Sequence, residues 1–166
     1  MGLYQFRAEP LARDCSLADI PSYGFDFPGT FSRFRDGGGV FLSLNGIARD
    51  AGFDGQIARS THSAPRTFTL PDGGQCSPRD TQMVETLTVA LLSSSQSQAV
   101  GDRCPGNPLD GGIPGEDAGV QRPGSTPTGF DSVRACGELL EQIVATGDAD
   151  PLCTCQLRYR LTGDRK

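Results

Sequence analysis

The sequence predicts an α+β domain: a small mixed or antiparallel sheet of about four to six strands, with one main amphipathic helix (132–146) packed on it. Two patterns near the C-terminus carry that expectation. Val133, Cys136, Leu140 and Ile143 or Val144 recur at helical spacing, Asp131 or Ser132 stands where a cap belongs, and Gly147 follows where a helix would stop. Further on, Cys153, Cys155, Leu157, Tyr159 and Leu161 alternate with Thr154, Gln156, Arg158, Arg160 and Thr162, the period of a strand with one buried face. A helix folding back onto a half-buried strand satisfies both.

The earlier elements are shorter. Residues 3–7 read as a strand ended by Pro10, and Cys15 to Pro21 as at most one helical turn. Tyr23, Phe25, Phe27, Phe31 and Phe34 are much of the aromatic content, interrupted by Gly24, Pro28 and Gly29. They read better as an irregular segment packed on the sheet than as a patch for a partner or a stacked base. Asp36 and three glycines lead into a strand at 40–44, closed by Asn45-Gly46. Those glycines lack the Lys-Ser or Lys-Thr of a phosphate loop.

Ile47 to Phe53, with small residues at Ala48 and Gly52, resembles the first helix and turn of a helix-turn-helix. That resemblance implies DNA binding, although Asp50 and Asp54 offset Arg49 and Arg59. Arg66 to Leu70 reads as a strand closed by Pro71-Asp-Gly-Gly. Between 77 and 94 two templates compete. Ser77, Pro78 and Asp80 suit a helix start, but alternation from Met83 and the β-branched content favour a strand from there, preceded by a helical turn. From Ser93 the chain is polar, and nearly half of 101–129 is Gly or Pro. Such a segment cannot fold by itself, so 95–129 is expected to be an extended arm of a single domain over 1–166, held by neighbouring subunits.

With 36% hydrophobic residues, no Trp, 22 glycines and 12 prolines, the core is small and the connections long. A net charge of −5 speaks against a nucleic-acid partner. Met1-Gly-Leu-Tyr-Gln-Phe-Arg has no secretory h-region and no apolar run approaches a membrane span. The expectation is synthesis in the cytoplasm without a signal peptide and no membrane association.

His62 is the single histidine, set among hydroxyls in Ser-Thr-His-Ser-Ala-Pro, and no catalytic motif accompanies it. No catalytic or cofactor-binding residue is assigned and no cofactor is implied. The six cysteines, Cys15, Cys76, Cys104, Cys136, Cys153 and Cys155, are the candidate site. As zinc ligands they suffer from spacing: Cys153-Thr-Cys155 leaves one residue between thiols, and no second pair exists. As disulfides they fare better. Cys153 and Cys155 share a strand face and cannot comfortably bridge each other, so each needs a partner elsewhere, and Cys136, on the apolar stripe of the covering helix, is a candidate for one. Cys76 or Cys104 is then the candidate for the other. The strand and helix cysteines serve equally well as reduced core residues.

The functional expectation is a non-enzymatic structural subunit of a larger assembly, of the kind found in a tailed-phage virion as a capsid decoration, neck or tail component. It would contact like and unlike protein subunits through its arm, its cysteines oxidising once the particle leaves the cell. A cysteine-rich zinc module is the alternative, and a helix-turn-helix protein the weaker one.

Overall fold

A computed structural model describes residues 2–20, 23–33, 39–44, 46–108, 132–145 and 151–166. It replaces the α+β expectation with an eight-stranded closed antiparallel barrel. Strands β1 (Gly2–Asp14), β2 (Phe25–Arg33), β3 (Gly39–Leu44), β4 (Ile47–Phe53) and β5 (Ile57–Pro65) run up and down in chain order. A two-stranded hairpin, β6 (Phe68–Thr69) and β7 (Gln75–Cys76), leaves the wall. Then β8 (Thr81–Leu92), β9 (Arg134–Ala145) and β10 (Cys155–Arg165) complete it, with β10 pairing back onto β1 from Tyr4↔Arg165 to Asp14↔Gln156. Closure removes the open edges that a sheet of this size would present.

The helix expected over 132–146 is strand β9, paired on both sides: Leu139 lies opposite Leu87 of β8 and Tyr159 of β10. Its helical spacing is a superposition of two buried faces. Ala135, Leu139 and Ile143 point into the barrel, while Cys136 is buried on the outer face against Ala90, Leu92 and Cys104. Apolar residues of both parities erase the period of two. The cover over that outer face is helix α1 (Ser94–Val100), begun by a capping box between Ser93 and Gln96, and the chain from 101 to 108. Thus the first part of the expected arm, 95–108, is packed; 109–129 lies outside the described residues, as do Phe34, Asp36, Asn45 and Gly147.

Other expectations need correcting. Ile47–Phe53 is strand β4, not a helix start, so the helix-turn-helix reading falls with its geometry. Pro10 does not end the first strand; the ladder from β1 to β2 stops at Ala8↔Phe25, so no β2 residue is paired opposite it. Residues 18–20 form a non-helical turn, and the strand expected over 66–70 is only Phe68–Thr69. The aromatic segment is regular: Phe25, Phe27 and Phe31 line the interior from β2, Phe27 stacked on Phe6 with ring centroids 5.3 Å apart. Strands at 40–44, from about 83, and at 155–162 lie where the alternation placed them.

Phe6 is accommodated by missing side chains. A Cβ at Gly29 of β2 or at Gly163 of β10 would sit 2.6 Å from its ring. Gly163→Ala is therefore expected to cost about 2 kcal/mol through overpacking. Gly52→Ala, where a Cβ meets nothing within 4 Å, is expected to be near neutral. Urea midpoints of the two variants check this, and equal midpoints would contradict it.

One end of the barrel is capped. Leu17 and Ile20 after β1, Phe68, Leu70 and Cys76 of the hairpin, and Cys153 before β10 are buried in the same core as the barrel interior. The Ala18 amide donates to the Thr69 carbonyl at 2.9 Å, and the Thr69 amide to Asp19 Oδ2 at 2.6 Å. This cap closes the end that holds the polar groups described next.

Candidate functional site

The barrel interior is apolar over most of its length, with Tyr4, Val89, Leu91 and Ala135 toward the end away from the cap and Leu42 beside Arg49. Under the cap the character changes. Strand register places His62 of β5 opposite Glu85 of β8, Glu85 opposite Glu141 of β9, and Glu141 opposite Leu157 of β10. Glu141 and Leu157 share the parity of the buried Leu139 and Tyr159, so this row faces inward.

From β4, Arg49 completes the group. Its Nη2 donates to Glu85 Oε2 at 2.6 Å, and only 8% of the residue is exposed. Because β5 stands between β4 and β8 in the wall, this ion pair bypasses one strand on the inside of the barrel. Two guanidinium nitrogens, Nε and Nη1, are buried without a hydrogen-bond partner, and so is the hydroxyl of Tyr159. Unpartnered buried donors are costly, more so on a charged group. Both side chains face the barrel interior, Arg49 from β4 and Tyr159 from β10.

The electrostatics agree. Burial, then the neighbouring Glu85 carboxylate, raise the Glu141 pKa to about 7, against the lowering pull of Arg66 and Arg49. Burial and Glu141 also push the Tyr159 hydroxyl above its ordinary value, with Arg13 opposing. Arg66, just beyond β5, lies 5.5 Å over the Phe68 ring of the cap and donates to Met83 Sδ at 3.2 Å. A hydrogen-bonding site with a carboxyl titrating near neutrality thus sits beneath an apolar lid.

The wall is least paired between β4 and β5. The ladder between β4 and β5 comprises two pairs, Gly52↔Arg59 and Phe53↔Ala58, whereas β5 and β8 pair continuously from Ile57↔Ala90 to Pro65↔Gln82. Nearer the cap the β4–β5 seam holds a bond from Ser60 Oγ to the Asp50 carbonyl at 2.8 Å. The seam runs beside Arg49 and His62.

The cysteines singled out from sequence lie elsewhere and have a different task. Cys15 bonds to Cys155, Cys76 to Cys153 and Cys104 to Cys136. The first two staple the cap to the start of β10; the third pins the outer layer to β9. Cys136 pairs with neither Cys153 nor Cys155, because a strand rather than a helix turns its side chain away from the interior. With all six sulfurs bonded, no thiolate remains for a zinc ion. Among the described residues no three His, Cys, Asp or Glu side chains are grouped to hold a metal.

Sequence reading missed Arg49, Glu85, Glu141 and Tyr159 as a group. A usable signal existed in the strand expected from Met83, where Glu85 shares the parity of Leu87, Val89 and Leu91. No helix is long and apolar enough to cross a membrane. Compared with protein-family models, curated proteins and solved structures, the chain matches none.

Proposed function

We propose that this protein is a non-enzymatic binding protein, a disulfide-stapled barrel that receives a small polar guest beneath its cap. The observation that carries the reading is Arg49: a guanidinium 8% exposed, with two of its nitrogens unpartnered, inside a closed barrel. Eight strands enclose a lumen wide enough for side chains or for one small ligand, and a buried guanidinium with unpartnered nitrogens supports the second use. Binding is preferred to catalysis because Glu85, the register partner of His62, is engaged by Arg49 and so is not free to orient it as a base. Three disulfides support a working place outside the reducing cytosol.

A melting-temperature screen against a library of small polar compounds tests the proposal. A compound present at a hundredfold excess over its Kd adds about 2.7 kcal/mol, a rise of several degrees for a domain of this size. Hits are expected, and their effect is expected to vanish in Arg49→Met. A screen without hits, or hits indifferent to Arg49, would remove the reading.

A second reading is the structural subunit of a virion or other particle. It is favoured by apolar side chains on the capped end: Tyr23, Ile47 and Leu152 are 70%, 51% and 59% exposed. Self-association in light scattering, abolished by Ile47→Ser with Leu152→Ser, is its expected sign. A strictly monomeric chain that captures no other subunit of its source particle speaks against it.

A further inference from the structure

We infer that residues 47–50 of β4 are a hinged flap in the barrel wall, latched shut by the Arg49–Glu85 ion pair and swinging away from β5 to open the row of His62, Glu85 and Glu141 to solvent. The flap needs no guest, and neither do its readouts. Pairing in the wall is the first support. Among the described residues, every other pair of neighbouring wall strands shares at least five residue pairs, while β4 and β5 share two. Both lie beside the turn at 54–56, where Asp54 Oδ1 accepts from the Gln56 and Ile57 amides at 3.1 and 2.7 Å. That end is the hinge. The Leu91 amide donates to the Gln56 carbonyl and the Arg66 amide to the Thr81 carbonyl, so the even-numbered residues of β5 bond toward β8. Thr61 and Ser63 therefore turn their backbone groups toward β4, and no residue pair meets them there. The bond from Ser60 Oγ to the Asp50 carbonyl at 2.8 Å spans the seam beside them.

Burial is the second. Residues 47–50 hide little that is apolar: Ile47 is 51% exposed, Ala48 and Asp50 are exposed, and Arg49 alone is buried. Apolar burial on β4 sets in at Ala51, next to the hinge. Across the seam Thr61 and Ser63 are exposed, while His62 and Ala64 are half-buried. Swinging the flap out therefore forfeits little hydrophobic contact. Residues 47–50 stay paired with β3, whose Leu42 and Leu44 are buried, so the motion is a twist of β4 about β3 and the hairpin keeps its place. The third support is the latch. Arg49 Nη2 reaches Glu85 Oε2 at 2.6 Å behind β5, so the flap is held by a strand that β4 does not pair with. Closed, the latch leaves Arg49 Nε and Nη1 buried without partners. Open, water satisfies them and rehydrates the carboxylate, which offsets much of the attraction lost. A segment held in this way opens locally while the rest of the domain stays folded.

Amide exchange by NMR, and the rate at which diethyl pyrocarbonate modifies His62, the single histidine, read the opening in the full oxidised chain. In the native protein the Gly52 and Arg59 amides at the hinge are expected to be at least about a hundredfold less protected than those of Leu139 and Tyr159 in the β9–β10 ladder. Arg49→Met and Glu85→Gln are each expected to speed hinge exchange and His62 modification about tenfold. Gly163→Ala separates this from a plain loss of stability, because it strains the fold from β10, on the opposite side of the wall. It is expected to speed exchange at Leu139 and Tyr159 more than about tenfold and to leave the hinge amides and His62 within about twofold. Hinge and ladder amides speeding up together in Gly163→Ala would show that the seam opens only when the whole domain unfolds, and would overturn the flap. Unchanged hinge exchange and His62 modification in folded Arg49→Met and Glu85→Gln would overturn the latch. Should neither latch variant fold, the native protection ratio and Gly163→Ala still decide whether the flap exists.

Discussion

Replacing Cys15, Cys155, Cys76 and Cys153 together by alanine is expected to abolish folding, while breaking either bond alone leaves a folded but weakened protein. The reason is that both bonds tie one cap to one strand start. Cys15–Cys155 spans 140 residues and Cys76–Cys153 spans 77, yet while one is intact the other closes a circuit of only roughly 60 residues. By chain entropy each of the two losses, in either order, costs about 4–5 kcal/mol. The sum of about 9 kcal/mol reaches the whole stability of an ordinary domain. The cap has little else to hold it beyond Leu17, Phe68 and Leu70 buried against the barrel and a few hydrogen bonds to Thr69. Circular dichroism in urea, with the intact protein and each single-bond variant beside it, checks the order. A quadruple variant that unfolds at the midpoint of the single-bond variants would show that the second staple adds no stability once the first is gone, and would contradict this.

The second large effect is a stability that falls with pH in a range where most carboxylates have finished titrating. Glu141 titrates near 7 in the fold against an unfolded value of 4.5. Its folded form therefore holds a proton that the unfolded chain has released between those values. The stability contributed by the protonated carboxyl is fully present below pH 4.5 and is lost as pH rises through 7. Its size is on the order of 2–3 kcal/mol. Glu141→Gln keeps a neutral side chain of similar shape at every pH. The variant is expected to match the native protein within about 0.5 kcal/mol at pH 4 and to exceed it by about 2–3 kcal/mol at pH 8, a gap of roughly 5–10 °C in Tm. Melting curves from pH 4 to pH 9 read it directly. Parallel curves for the two proteins would place Glu141 in solvent rather than under the cap.

Where one face of a strand meets the core and the other meets water, the alternation is open to inspection. Leu157, Tyr159 and Leu161 of β10 are buried while Gln156 is exposed and Arg158 and Arg160 lie between, so the strand can be read off its letters. Strand β9 could not be read so. The outer layer at 94–108 covers its outer face and buries Cys136, and the inward-facing Glu141 inserts a polar residue where the pattern demands an apolar one. Strand β4 fails for the same reason, with Arg49 inside. In both, the residue that broke the period is one that forms the candidate site, as expected where a site is built at the expense of local consistency. The disulfide framework was half legible. Six cysteines announce cross-links, but which pairs form depends on which side of a strand each one occupies.

The amino-acid order by itself determined the small core, the run of alternating segments, the turns at Gly46 and Gly73, and a cysteine set ready to oxidise, because each depends only on neighbours along the chain. Closure of eight strands into a barrel, the covering of β9 on both faces, the three pairings, and the meeting of Arg49, Glu85, Glu141 and Tyr159 were decided only in the tertiary structure. Those residues come from four strands spread over 111 positions of the chain, from 49 to 159. Local preference cannot bring them together; only the register of a closed wall can.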